Sequence, residues 1–387
     1  TKNNIFEKYK KQFEIWKSFY ISMHINTYKK LKKKNRKIEK LDFDYENDEC
    51  IKSFYKIQEK DKSWDNYYGL ETSFDESFNE IKANIINPDV KIISFDMFDT
   101  LVTRPFYVPS DMFSLLNNIF IQLFNPIKAV DFSKIRKKSE AELRNINYKK
   151  GIPEVTLDGI YEYISNTYNL DKKKLEKIKD KEKEMELHFC NRRNSGYELY
   201  SLAKHLKKKI ILTSDIYLPR DLIESILQKN GYEFDEIYLS SEFLKTKSSG
   251  TLFEYIIDKE KTNKILHIGD NYESDYEIPK RYNIQSMQLI KASDVMMGYS
   301  RINVKNCGNL YKHFVLFNQD HIPYEEITGV RCSIGIISNK YFDNPFRPYN
   351  SYSDFNGDPY FIGYYALGMQ TISLCKWLLE DARKNKI

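Results

Sequence analysis

Residues 90–103, with the sequence VKIISFDMFDTLVT, decide how this 387-residue chain folds. Their apolar run ends in Asp96, Asp99 and Thr100. A short run that is apolar at successive positions is typical of a strand buried on both faces of a parallel sheet. Ligands of such sheets bind at the carboxyl ends of the strands. We therefore expect these three polar residues to lie at a functional site.

Four later apolar runs resemble the first, and segments with helical spacing separate them. The predicted strands cover residues 90–98, 208–216, 236–242, 263–271 and 284–290. Helical spacing is clearest over 219–231 and 249–261. Strand and helix therefore alternate, which predicts right-handed crossovers and a doubly wound α/β core.

The same patterns divide the chain into regions. We predict a helical N-terminal region at 1–89, a catalytic core at 90–103 and 207–295, a helical insertion at 104–206 and a C-terminal extension at 296–387. Within the insertion, Ser110 and Thr156 are predicted helix caps. Because the first residue is Thr1 rather than Met, we expect an excerpt of a longer polypeptide.

Composition excludes several classes of protein. The 61 Lys and Arg residues exceed the 55 Asp and Glu residues by six, and the two signs are interleaved, so no nucleic-acid partner is expected. No apolar run approaches the roughly 18 residues of a membrane span. The five cysteines are scattered and never spaced as C-x-x-C, which argues against a disulfide framework or a zinc site. We expect a soluble, cytoplasmic protein.

The N-terminal region carries an aromatic stripe at helical spacing. Its members are Phe6, Tyr9, Phe13, Trp16, Tyr20 and Met23. The stripe could pack on the rest of the chain, or it could bind a partner or form a coiled coil. The basic run at 29–40 could touch an anionic membrane surface or nucleic acid, or it could form a solvated helix end.

The ends of the predicted strands carry residues suited to phosphoryl transfer. Strand by strand they are Asp96, Asp99 and Thr100; Thr213, Ser214 and Asp215; Lys245 and Lys247; and Asp270 and Asp275. A carboxylate can attack phosphorus and so divide hydrolysis into two easier steps. A hydroxyl and an ammonium can stabilise the phosphoryl oxygens. Carboxylates can also hold Mg²⁺, which neutralises the charge on both reactants.

These residue types predict individual roles. Asp96 is the predicted nucleophile and, with Asp270 and Asp275, a predicted ligand of Mg²⁺. Ser214 and Lys247 are the predicted groups that stabilise the transition state.

In order and spacing, the four motifs resemble those of the haloacid dehalogenase (HAD) superfamily of aspartate-nucleophile phosphatases. The resemblance covers 90–103 and 207–292, and it implies a Rossmann-like core whose insertion is a helical type-one cap. The residue patterns outside it predict a helical N-terminal flank and a mixed C-terminal flank. Lys247 is preferred to Lys245 because the K-x-x-G-x-L-F context resembles the third motif of the family.

The resemblance also suggests contacts with the substrate. Thr100, Arg104 and Thr213 are candidates, although Arg104 could instead anchor the cap. Thr213 is the alternative to Ser214 as the hydroxyl of the second motif. The adjacent Arg192 and Arg193 could reach an anionic substrate or form a solvated surface, and His267 is interpreted as a core residue.

One position departs from the family pattern. Phe98 stands where the family places the Asp that serves as general acid and base, and an Asp follows one residue later as Asp99. The backbone carbonyl of Phe98 could still bind Mg²⁺. Either Asp99 takes over proton transfer or acid–base help is weak. Haloacid dehalogenases proper also lack that Asp, but they work without Mg²⁺.

A narrower resemblance concerns FDMFDTLVTRP, TSDIYLP and HIGDNYESD. Together they look like a bacterial subgroup of HAD-like proteins associated with glycosyltransferases in capsule and surface-polysaccharide synthesis. This implies a sugar phosphate or polyol phosphate as substrate, and glycosyltransferase or polymerase modules, or a second copy of the chain, as partners of the flanks. The alternatives are a catalytically weak or silent binding or scaffold module and a dehalogenase-like hydrolase.

Overall fold

The structure, a computed structural model, describes residues 78–126, 131–294, 324–343 and 359–385. The predicted aromatic stripe and the basic run at 29–40 lie outside the described residues. The strands are β1 (Ile92–Phe95), β2 (Val102–Thr103), β3 (Asn191–Arg192), β4 (Lys209–Ser214), β5 (Glu236–Leu239), β6 (Ile265–Gly269) and β7 (Gln285–Gln288). The α-helices are α1 (Phe78–Ile86), α2 (Leu116–Phe124), α3 (Phe132–Lys149), α4 (Leu157–Tyr168), α5 (Lys172–Phe189), α6 (Asn194–His205), α7 (Arg220–Lys229), α8 (Ser240–Phe243), α9 (Thr251–Glu260), α10 (Ile278–Arg281), α11 (Tyr324–Tyr341), α12 (Pro359–Phe361) and α13 (Gly368–Asn385).

Five strands form one parallel sheet in the order β5-β4-β1-β6-β7. In the central strand, Ile93 lies opposite Ile210 of β4 and Leu266 of β6. All five predicted strands are confirmed, and so is the Rossmann-like α/β fold class. Because β1 lies at the centre, the residues that follow it are flanked by the ends of β4 and β6.

Helices cover both faces of the sheet. On one face, Ile93 and Phe95 pack in the same core as Ile85 of α1 and Leu199 of α6. On the other, Ile92, Ile211 and Ile265 pack with residues of α9 such as Phe253. Burial on both faces explains why the strands lack alternation between apolar and polar residues.

The residues between β1 and β4 are mostly helical, as predicted. They contain a 3₁₀ helix over Pro109–Leu115 and the helices α2 to α5. The short antiparallel pair of β2 and β3 joins the start and the end of this insertion. The domain boundaries given above remain predictions.

One of the two predicted caps is confirmed. The hydroxyl of Thr156 accepts a hydrogen bond from Gly159 N at 3.1 Å and caps α4. The Ser110 cap is wrong, because Pro109 begins the 3₁₀ helix one residue earlier and extended Val108 is the capping position. Pro favours the first position of a helix, where its missing N–H costs nothing.

The C-terminal extension contributes two described segments. Helix α11 packs against the 3₁₀ helix that starts the insertion. Residues 359–385, with α12, a π-helical turn over Ile362–Leu367 and α13, belong to a separate unit. Across the described part of the chain, no helix has the length and apolar character that crossing a membrane requires.

Candidate active site

The predicted residues meet at the carboxyl edge of the sheet, around Asp96. Lys247 Nζ donates to Asp96 Oδ1 and to Asp275 Oδ1, both at 2.6 Å. Ser214 Oγ lies 3.4 Å from Asp96 Oδ1, and Thr100 Oγ1 lies 3.4 Å from Asp96 Oδ2. The ends of β1, β4 and β6 and the loop before α9 thus supply one cluster.

The turn after β6 brings Asp275 back to the strand. Asn271 accepts from the backbone N–H groups of Glu273 and Ser274 through its side chain, and so caps the π-helical turn over Tyr272–Glu277. Asn271 N in turn donates to Asp275 Oδ2 at 3.0 Å. A Cβ on Gly269 would overlap the Asp275 carboxylate, so this approach requires glycine.

Three carboxylates at this edge could hold a metal ion. One oxygen each from Asp96, Asp270 and Asp275 lie within 4.8 Å of one another. Hard cations such as Mg²⁺ take carboxylate oxygens as ligands, so the chemistry of this donor set fits Mg²⁺. The predicted ligation by the backbone carbonyl of Phe98 remains a prediction.

Burial and crowded negative charge set the protonation of the site. Burial raises the pKa of Asp96 to about 7, and Asp275 adds to that rise while Lys247 opposes it. Burial of its carboxyl group, followed by the charges of Asp99 and Asp96, raises the pKa of Asp270 well above its usual value. Two of the three carboxylates are therefore destabilised as anions.

Lys247 and Asp275 form the favourable pair within this cluster. Burial alone would raise the pKa of Asp275, but Lys247 and then His267 hold it below its usual value. Burial would likewise lower the pKa of Lys247, but Asp275 and Asp96 raise it. Lys247 is therefore a stable ammonium in contact with the predicted nucleophile.

Asp99 lies close to this cluster in an uncommon backbone conformation. Its φ of 57° falls in the left-handed region, and its N–H donates to Val102 O at 2.7 Å. Its carboxylate contributes to the raised pKa of Asp270. The neighbouring Phe98 directs its ring to the guanidinium of Arg104, 4.0 Å from the ring centre to Cζ.

Two of the predicted substrate contacts are engaged with other protein groups. Arg104 donates to both oxygens of Glu186 on α5, at 2.8 and 3.1 Å, and both side chains are buried. These are the contacts of an anchor for the helical insertion, the alternative given above. Thr213 Oγ1 lies 2.8 Å from Ser94 Oγ, whereas Ser214 reaches Asp96. The predicted roles of Thr100, Arg104 and Thr213 in substrate binding remain predictions.

The sequence interpretation missed a buried polar chain that reaches Asp275. Ser94 of β1 contacts Thr213 Oγ1 and His267 Nδ1, each at 2.8 Å, and His267 Nε2 lies 3.1 Å from Asp275 Oδ1. His267 is in the core, as interpreted, but it also contacts a residue of the site. The available signal was a single polar side chain in each of the otherwise apolar strands β1 and β6, namely Ser94 and His267.

Two further basic residues were not assigned to the site. Lys291, which follows β7, is half-buried, and the charges of Asp294, Asp99 and Asp270 oppose the effect of burial and raise its pKa. Arg193 is 2% exposed and donates to the backbone carbonyl of Asp99. Of the two alternatives given above for Arg193, the solvated surface is therefore wrong.

The site is almost closed. Asp96, Lys247 and Asp275 are 6%, 3% and 1% exposed. Low exposure strengthens every electrostatic interaction in the site.

Comparison with known proteins gives similarities to solved structures alone. No protein-family model and no curated protein matches the chain. The chain is similar to the HAD-hydrolase YfnB from Bacillus subtilis bound to magnesium, with 13% identity, a TM-score of 0.38 and coverage of 52% of this chain and 88% of that one. It is also similar to a HAD family enzyme from Bacteroides thetaiotaomicron, with 13% identity, a TM-score of 0.37 and coverage of 52% of this chain and 94% of that one. A third similar structure is a 2-haloacid dehalogenase from Pseudomonas syringae, with 11% identity, a TM-score of 0.38 and coverage of 51% of this chain and 86% of that one. The roles of individual residues therefore rest on the geometry described above.

Proposed function

We propose that the chain is a Mg²⁺-dependent phosphomonoesterase of the haloacid dehalogenase type that forms an aspartyl phosphate on Asp96. The arrangement around Asp96 carries the proposal. Three carboxylates share one small volume, and a single ammonium contacts two of them. Such a site has an excess of negative charge that favours a divalent cation.

The protein residues would carry out two displacement steps. A carboxylate oxygen of Asp96 attacks phosphorus while the bond from phosphorus to the leaving oxygen breaks. Water then attacks the same phosphorus, which frees the Asp96 carboxylate and releases inorganic phosphate. When bound by Asp96, Asp270 and Asp275, Mg²⁺ would neutralise charge on the phosphoryl oxygens.

Lys247 and Ser214 would position these reactants. Lys247 fixes Asp96 Oδ1 and directs its positive charge at the place where phosphate would be held. Ser214 presents a hydroxyl donor beside the same oxygen. Both donors are in place before a substrate arrives, so little reorganisation is needed during the reaction.

Asp99 is the proposed acid and base. As an acid it would give a proton to the leaving alkoxide, and as a base it would take one from the attacking water, so its protonation is restored after each turnover. Its closeness to Asp270 supports this assignment, since Phe98 cannot transfer a proton.

The proposed substrate is a sugar phosphate or polyol phosphate used in capsule or surface-polysaccharide synthesis in the cytoplasm. The motif resemblance supports this choice, and it supports glycosyltransferase or polymerase modules, or a second copy of the chain, as partners of the flanks. The substrate and the partners are proposed separately from the reaction, so either proposal can fail while phosphate-ester hydrolysis at Asp96 still holds.

Phe98 favours two alternatives. A dehalogenase-like hydrolase would use Asp96 to displace halide from carbon and would need no acid at position 98. A scaffold module would keep the carboxylates without turnover. The unbalanced charge at Asp96 counts against both, because neither function requires a bound cation.

A phosphate-release screen tests the proposal. Sugar, alditol and glycerol phosphates are incubated with the protein and Mg²⁺, and 2-haloacids are tested in parallel for halide release. We expect phosphate release that stops with a chelator and in Asp96→Asn. Chelator-resistant halide release would establish the dehalogenase alternative, and no turnover on either class would favour the scaffold.

A further inference from the structure

The loop that carries Asp99 is a tight turn closed by its own backbone. Asp99 N donates to Val102 O, while Leu101 N and Val102 N both donate to Met97 O, at 2.7 to 3.0 Å. A non-glycine residue with φ near 57° is held at some cost in free energy, and it persists only where its surroundings fix it. The groups that contact the loop from outside therefore determine where Asp99 is placed.

The start of helix α6 is the first of these external contacts. Arg193 N donates to Leu101 O at 2.8 Å, and a Cβ on Gly196 would overlap the carbonyl oxygen of Thr100. Helix α6 thus touches the loop backbone directly, and only glycine permits this approach.

The side chain of Arg193 makes the second contact and uses all its donors. Nη1 donates to Asp99 O and to Leu289 O, and Nη2 donates to Ile290 O at 2.8 Å. The remaining donors bind Asp343, with Nε to Oδ1 at 3.0 Å and Nη2 to the backbone oxygen at 2.6 Å. A guanidinium has five N–H donors in a fixed plane, so one residue ties the Asp99 loop, the segment after β7 and Asp343 together.

Asp343 neutralises the buried guanidinium and also fixes α6. Its Oδ2 accepts from Ser195 N at 2.9 Å, and its Oδ1 accepts from Ser195 Oγ at 3.0 Å. A carboxylate at the start of a helix satisfies free N–H groups and is favoured by the helix dipole. Asp343 therefore holds Arg193 in two ways. It binds the guanidinium of Arg193, and it binds the start of α6, the helix that begins directly after Arg193.

Helix α11 places Asp343. Asn339 Nδ2 donates to Arg104 O at 2.6 Å, and Gly335 lies so close to Phe106 that a Cβ would stand 2.7 Å from its backbone. Arg331 Nε donates to Asp111 Oδ2 at 3.0 Å. This helix of the C-terminal extension is thus fixed to the segment that leaves the core for the helical insertion.

We propose that Arg193, held by Asp343 of the C-terminal extension, is a positioning residue for the loop that carries Asp99. The role in catalysis rests on the function proposed above. It gives the C-terminal extension a purpose in the reaction, since Asp343 lies 150 positions after Arg193 and outside the α/β core. Arg193 touches neither the three carboxylates nor Lys247 in the described contacts, so it acts on the reaction only through the loop.

Three variants test this role. Asp343→Asn keeps the size of the side chain and removes its charge, whereas Arg193→Lys keeps the charge and removes the planar fork. The matched control is Glu260→Gln, which breaks the ion pair with Lys209 (2.5 Å) at the opposite end of the sheet. If Asp343→Asn does not fold, Arg193→Lys still tests whether the planar guanidinium is needed to hold the Asp99 loop.

Two measurements separate positioning from stability. Amide hydrogen exchange is followed in peptides that cover 97–102, and kcat and KM are determined for the best phosphate ester. We expect faster exchange at 97–102 in Asp343→Asn and Arg193→Lys but not in Glu260→Gln. We also expect kcat to fall about 10- to 100-fold with little change in KM, because a displaced acid affects the transition state more than binding.

Wild-type exchange rates at 97–102 in both test variants would overturn the proposal, whatever the turnover. Equal losses of kcat in Glu260→Gln would also overturn it, since they would trace the effect to stability alone. If the wild-type protein releases no phosphate from any ester, the function in the preceding subsection fails, while the exchange rates still decide whether Arg193 holds the loop.

Discussion

Two groups of buried charge among the described residues, one in the helical insertion and one at the active site, are balanced differently. In the helical insertion each buried guanidinium faces its own carboxylate: Arg136 donates to Glu182 at 2.8 and 3.0 Å, and Arg104 donates to Glu186. At the carboxyl edge of the sheet, three carboxylates crowd together and a single ammonium, that of Lys247, contacts two of them.

The difference separates structural charge from functional charge. Burying an ion costs several kcal/mol unless a partner and hydrogen bonds compensate it. The insertion meets this condition, because Tyr161 and Glu140 complete the hydrogen bonds of the Arg136 and Glu182 pair. The active site does not meet this condition. The cost of burying uncompensated carboxylates appears there as the raised pKa values of Asp96 and Asp270. Imbalance of this kind is typical of sites that bind a cation or carry out chemistry.

The largest expected effect comes from breaking the unbalanced cluster at its nucleophile. Asp96→Asn should reduce phosphate release by more than about 10³-fold, because the amide cannot form the aspartyl phosphate. Without Mg²⁺ the same change should not lower the melting temperature, since it removes one of three repelling carboxylates. Phosphate release and thermal unfolding monitored by circular dichroism check both parts. A variant that keeps its activity, or that unfolds well below wild type in chelator, would contradict this view of the site.

The next effect concerns proton transfer beside the cluster. Asp99→Asn should lower kcat about 10²- to 10⁴-fold toward esters with poor leaving groups, because the proposed acid is lost. The loss should be smaller for an aryl phosphate, whose leaving group needs no proton. Steady-state kinetics on one substrate of each kind give the comparison. Equal losses on both substrates would show that Asp99 does something other than protonate the leaving oxygen.

Breaking the balanced cluster should affect stability and leave the chemistry unchanged. Glu182→Gln removes the fully buried countercharge of Arg136, leaves only its ion pair with Glu140, and should cost up to about 3–5 kcal/mol of unfolding free energy in urea titrations. Glu184→Gln, on the same helix α5 but in an exposed pair with Lys181, is the matched control and should cost less than about 1 kcal/mol. A similar cost in the two variants would contradict the structural role assigned to the Arg136 pair.

The smallest expected effect is a pH dependence of metal binding. Below a pKa of about 7, Asp96 carries a proton that Mg²⁺ must displace. The affinity for Mg²⁺ should therefore weaken by at least about tenfold for each pH unit below 7. Titration calorimetry in buffers with different ionisation enthalpies measures the protons released. Release of no proton at pH 6 would mean that Asp96 is already ionised or is not a ligand.

Local patterns predicted the strands and the meeting of the site residues. The apolar runs at 90–98 and 263–271 indicate buried parallel strands. Because the carboxyl ends of such strands lie at one edge of the sheet, Asp96 and Asp270 are predicted to lie close together. No knowledge of long-range packing was needed, because parallel strands place their carboxyl ends at one edge.

Contacts across long separations could not be predicted in this way. Arg104 pairs with a residue 82 positions away and Arg193 with one 150 positions away, and neither partner has a local signal. A paired arginine in sequence cannot be told from a solvated one, so the burial of Arg193 was missed.

Trapping the phosphoryl group on Asp96 tests the central claim most directly. The protein is mixed with its best phosphate ester and Mg²⁺, quenched in acid and analysed by peptide mass spectrometry. We predict one phosphoryl group on the peptide that contains Asp96, absent with a chelator and in Asp96→Asn. Phosphate release by the wild-type protein with no phosphoryl group on Asp96, under conditions that preserve a control acyl phosphate, would contradict the account.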